Sequence, residues 1–134
     1  MEAMKFSVCL RVMVSIAIVI SMWAHATPVT AHAQLVKSEP ARRAVLDKSP
    51  TQIRLWFNEE IEGAYTSLSV LGADNKPVSD AKSRVVSDDP KSIVLSLPDL
   101  KPGKYSVEFR VLSVDGHIVD STFDYTVKSK VQDK

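Results

Sequence analysis

Residues 104–127 read KYSVEFRVLSVDGHIVDSTFDYTV, two alternating apolar runs joined at Asp115-Gly116-His117. Alternation places Tyr105, Val107, Phe109 and Val111 on one face of the first run, and Val119, Ser121, Phe123, Tyr125 and Val127 on one face of the second. The pattern restricts the register. A two-residue Asp-Gly turn pairs residues whose numbers sum to 231, which sets Val111 beside Asp120 and Val107 beside Asp124 and buries carboxylates. A sum of 232 sets Phe109 against Phe123, Val107 against Tyr125, Tyr105 against Val127 and Val114 against Ile118. The hairpin therefore needs an odd-numbered loop, and the shortest candidate is Asp115, Gly116 and His117, with Gly116 free to take a positive φ. Turn formation accounts for the Asp and the Gly but not for an imidazole, a group common in metal sites and acid-base chemistry.

Working outward, the same alternation recurs in short runs. Residues 34–38 form a first strand that stops before Pro40, and Arg42 and Arg43 lie in a solvated connection. Ile53, Leu55 and Phe57 point inward from a second strand, with Arg54 and Trp56 on its other face. The acidic segment of Asn58, Glu59, Glu60, Ile61, Glu62 and Gly63 breaks it. Leu68 and Val70 mark a third strand, a weaker one lies near residues 84–86, Asp88-Asp89-Pro90 turns the chain, and Ile93, Leu95 and Leu97 alternate in another. Leu100-Lys101-Pro102-Gly103 then turns into the hairpin, with Tyr105 placed as the tyrosine corner of an immunoglobulin-like sandwich. About seven short strands and no helix-period segment after residue 31 predict an all-β chain folded as a single Greek-key β-sandwich.

The 134 residues carry 17 basic and 16 acidic side chains, a near balance that gives no support to nucleic-acid binding. The N-terminal part differs in kind. Lys5 and Arg11 precede an apolar stretch over residues 12–23, followed by small residues and a proline, which is the pattern of a cleaved secretory signal peptide. Its apolar core of about a dozen residues is shorter than the roughly 20 that span a bilayer. Small-x-small spacing allows cleavage after Ala26, Ala31 or Ala33, and local sequence does not choose among them. The division adopted here is a signal peptide over residues 1–31, a sandwich domain over 32–128 and a polar tail over 129–134. Such a product is soluble after cleavage, without stable membrane insertion.

Cys9 and all four methionines lie within residues 1–31, so the remaining chain has no disulfide, no thiol chemistry and no soft-sulfur site for Cu(I). Nucleotide loops, zinc-protease helices and nucleophile elbows are also missing from the sequence. Only His32 and His117 survive export. If cleavage leaves His32 first, its α-amine and Nδ1 can chelate one ion through a six-membered ring. The His117 imidazole and the Asp115 carboxylate complete a nitrogen-and-oxygen set suited to tetragonal Cu(II), with zinc and nickel as weaker candidates.

Four segments carry a resemblance to a known family: His32 to Pro40 (HAQLVKSEP), Leu55 to Glu59 (LWFNE), Leu100 to Tyr105 (LKPGKY) and Phe109 to His117 (FRVLSVDGH). They resemble the periplasmic copper resistance protein CopC family, and the resemblance covers essentially all of the chain after residue 31. It implies a barrel-like sandwich that binds one Cu(II) through the amine and imidazole of His32 with Asp115 and His117, and Glu59 as a possible accessory. It also implies a periplasmic copper carrier, monomeric, with an inner-membrane copper transport partner of the CopD kind. The chain departs from the family at Ile118 and Ser121, where proline and glycine are common, and it lacks the methionines of members with a second, Cu(I) site. An altered start to the strand is expected there, not a lost ligand. Two other readings are a histidine-brace copper oxidase, in which Asp115 would block the position oxygen needs, and a metal-free sandwich that serves as an interaction module.

Overall fold

A computed structural model of the protein describes Val8, Arg11 and residues 33–129. The chain divides into two compact units, Met1–Ala31 and His32–Lys134. The expected signal peptide, its cleavage site, His32 and most of the polar tail lie outside the described residues. Among the described residues no helix is long and apolar enough to cross a membrane.

Among its described residues the second unit is all β apart from one 3-10 turn. Its strands are β1 (Leu35–Glu39), β2 (Val45–Leu46), β3 (Gln52–Phe57), β4 (Ser67–Leu71), β5 (Arg84–Val86), β6 (Asp89–Ser96), β7 (Gly103–Leu112) and β8 (Ile118–Val127). One four-stranded sheet runs β1-β3-β6-β5 and the other β2-β8-β7-β4. Alternation explains which side chains meet between them. Ile53, Leu55, Ile93 and Leu95 from the first sheet and Val107, Val111, Phe123 and Tyr125 from the second are buried in one core. Phe57 meets Phe109 edge to face, with centroids 5.7 Å apart, and the Tyr105 hydroxyl donates to the Lys101 carbonyl at 2.5 Å, the expected corner bond.

Two expectations about elements are corrected. The segment at Asp88-Asp89-Pro90 is not wholly a turn, because β6 begins at Asp89 and pairs it with Val86 across the tight β5–β6 connection. Strand β2, two residues long and parallel to β8, carries no readable alternation and went unpredicted.

The hairpin register is the third correction. The loop is odd-numbered, as keeping the aspartates out of the core requires, but paired residues sum to 230 and not 232. Tyr105 faces Tyr125, Val107 faces Phe123, Phe109 faces Ser121, Val111 faces Val119 and Leu112 faces Ile118. Ile118 is therefore not the partner of Val114. The reason lies in the turn. Ser113 N–H donates to the His117 carbonyl at 2.9 Å, closing a three-residue loop of Val114, Asp115 and Gly116. Such loops want a left-handed third residue, and Gly116 has φ +92°. The 232 register would put His117 in that position. Asp115 is at the tip, and His117 stands one step down its flank.

Candidate metal centre

Three segments meet at the end of the sandwich where β7 turns into β8. The start of β1 is tied to the segment after β3: Gln34 N–H donates to Asn58 Oδ1 at 2.6 Å, and Asn58 N–H returns to the Gln34 carbonyl at 3.1 Å. That segment is tied in turn to the hairpin. Val114 N–H donates to the Glu60 carbonyl at 3.0 Å, Glu62 N–H to the Leu112 carbonyl at 2.8 Å, and Ile61 bridges Ser113. Ala33 is buried at this end. A bulge in β1, with Val36 left unpaired between Leu35 and Lys37, follows directly.

Asp115 and His117 are brought together. His117 Nδ1 is buried and lies 2.9 Å from Asp115 Oδ2. The other carboxylate oxygen accepts the Ser113 hydroxyl and, at 3.3 Å, the backbone N–H of His117. These donors favour the ionised acid. The Ser113 hydroxyl chiefly, and then His117, draw the Asp115 carboxyl below its ordinary value to about 2, against the smaller opposing effect of burial. Both side chains remain part-exposed, so an ion can reach them from solvent. A carboxylate and an imidazole held together are hard and borderline donors, and their chemistry fits Cu(II).

Glu59 is not brought to them. It sits one residue before Glu60 in the strapped segment, and among the described residues no group of three or more His, Cys, Asp or Glu could hold a metal ion. The described part of the centre is thus a pair. A surface depression of about 680 Å³, lined by Asp47, Lys48, Asp99, Lys101 and Lys128 among others, is at the far end of the hairpin, beside Val127. Its size has no bearing on a single ion.

A family model described as the CopC domain matches residues 35–128. The chain belongs to the CopC family. Relatives agree with this placement. YobA of Escherichia coli K12 is 34% identical over 101 residues, covering 75% of this chain and 82% of that protein. Copper resistance protein C of Xanthomonas campestris pv. juglandis is 32% identical over 105 residues, covering 73% and 81%. The crystal structure of CopC from Methylosinus trichosporium OB3b superposes with a TM-score of 0.68 at 37% identity, covering 72% of this chain and 94% of that one. Membership of this copper resistance family makes the function copper-related and bears out the expected sandwich.

Two residues of the site escaped the reading of the sequence. Asn58 and Ser113 both fall in segments that carry the family resemblance, but spacing assigns neither a role beside the Asp-Gly-His turn. Ser113 did carry a signal: it continues the inward parity of Tyr105, Val107, Phe109 and Val111, so it is a polar residue at a core-facing position. It is 1% exposed.

Proposed function

We propose that this chain is a periplasmic Cu(II) carrier or buffer that holds one ion as cargo. The ligands are the α-amine and imidazole of His32, freed by cleavage after Ala31, with the carboxylate of Asp115 and the imidazole of His117. Glu59, which is not brought to the pair, stays outside this ligand set. The observation that carries the reading is the Asp115–His117 pair on a loop strapped, through residues 58–62, to the residue two places beyond His32. Copper resistance relatives of similar length support it.

With Asp115 in the ligand set, the ion has no position kept open for oxygen, so the role is carriage and not catalysis. No methionine follows residue 22, so a Cu(I) thioether site is not part of the proposal. Release goes to an inner-membrane copper transport partner, and the carrier acts as a monomer.

Intact mass of the exported protein tests the first step, because a chain that begins at His32 carries the chelating residue and one that begins at Gln34 does not. The amine and imidazoles must lose protons to bind, so Cu(II) affinity should weaken as pH falls through roughly 7 to 6. An affinity that is flat over that range would contradict amine ligation.

A further inference from the structure

The outer face of the β2-β8-β7-β4 sheet is polar over much of its length, where Ser67, Ser69, Glu108, Arg110, Asp120 and Thr122 border one depression. Toward the metal end its character changes. Leu112 follows Arg110 on that face and pairs with Ile118, and a 3-10 turn at Gly63–Tyr65 sets Tyr65 beside them. Tyr65, Leu112 and Ile118 line, with Arg110 and Val111, a depression of about 230 Å³, room for one large side chain. Val114, next to Asp115 on the loop, adds a fourth apolar group. Tyr65 is 71% exposed, Val114 64% and Ile118 56%. None of the four packs into the hydrophobic core, so stability does not call for them. Single exposed apolar residues are ordinary, whereas several together beside a binding site mark a contact surface.

We propose that Tyr65, Leu112, Val114 and Ile118 form the docking surface for the protein that accepts the ion, one with an apolar centre and a basic margin. This rests on the carrier reading above. An acceptor that reaches an ion on Asp115 and His117 must cover Val114 and Ile118, their chain neighbours. The exposed residues Glu60 and Glu62 border the patch, tied to it by the Val114 N–H to Glu60 carbonyl and Glu62 N–H to Leu112 carbonyl bonds. Arg110 is paired with Asp120 at 3.5 Å. That acidic margin disfavours an anionic lipid surface and complements basic groups on a protein.

The test is delivery of copper. Exported protein loaded with isotopically labelled Cu(II) is mixed with right-side-out inner-membrane vesicles from its own cells, and uptake is compared with stripping by a small chelator. The variant Tyr65→Ser, Val114→Thr, Ile118→Thr changes exposed side chains only, which costs little stability. It should bind Cu(II) and yield it to the chelator as the unaltered protein does, while delivery to vesicles slows about tenfold or more. Val45→Thr, exposed at the opposite end of β8, should deliver normally. Higher salt should slow delivery by unaltered protein, and a rate indifferent to salt overturns the basic margin. Should the triple variant not fold, Tyr65→Ser alone is read in its place. Undiminished delivery by the folded variant, or an equal loss in Val45→Thr, overturns the docking surface and leaves the carrier reading standing. Delivery that survives protease treatment of the vesicles overturns it by making the acceptor a lipid. A dimer of unaltered protein that the variant turns into monomer overturns it by making the occupant a second copy. Unaltered protein that holds copper and delivers none to intact vesicles overturns it as well. Unaltered protein that binds no Cu(II) sinks the carrier reading and the docking surface together.

Discussion

Gly116 holds a backbone conformation that side chains resist, with φ at +92° and open space where a Cβ would sit. The strain of a substitution there is one of conformation and not of crowding. Gly116→Val should cost about 1–3 kcal/mol, measured as a lowered urea midpoint with unchanged m-value; a midpoint equal to that of the unaltered protein would refute the left-handed assignment. The Asp115 and His117 side chains were readable as candidates because an imidazole beside a turn has no turn-forming purpose. Ser113 was legible only as a parity violation, a serine where alternation calls for an apolar residue. What it does there depends on which oxygen of Asp115 it meets, and that is set by loop geometry that spacing does not encode.

At the scale of elements, β3 and β6 are joined on their outer face as well as through the core. Asp89 Oδ2 accepts from Arg54 at 2.9 Å and from Trp56 Nε1 at 3.1 Å, while Arg54 and Lys37 flank the Trp56 ring at 4.8 and 4.5 Å. Asp89→Ala should destabilise the fold by about 1–3 kcal/mol in denaturant melts, and an effect near zero would mean that this outer cluster is fully screened by water. The elements show where periodicity stops being informative. Alternation identified β1, β3, β4, β6, β7 and β8 and the parity of the hairpin. It could not separate registers of the same parity, since sums of 230 and 232 both bury Tyr105, Val107 and Phe123, and only the demand for glycine at the third loop position tells them apart. Strand β2 is too short to alternate, and its pairing beside β8 is set by the tertiary fold.

For the molecule as a whole, the core makes a pH prediction of its own. Tyr125 is 1% exposed and stacked on Tyr105, and burial raises its phenol above the usual tyrosine value. A raised folded value means that its contribution to stability is complete below the unfolded value of about 10 and is lost as pH rises through the folded one. Phenolate absorbance should therefore show Tyr125 ionising together with loss of the sheet signal. Tyr125→Phe should move that alkaline transition to higher pH, and an unmoved transition would contradict the assignment. The family was legible from four quoted segments, and the fold from alternation; the completeness of the metal centre was not, because it depends on a cleavage and on His32, which lies outside the described residues. The most direct test of the copper account is titration of the exported protein with Cu(II), followed by electron paramagnetic resonance. One tight equivalent, retained through desalting and lost in His117→Ala, is the predicted result; a protein that retains no copper, or a His117→Ala variant that retains it undiminished, would contradict the account.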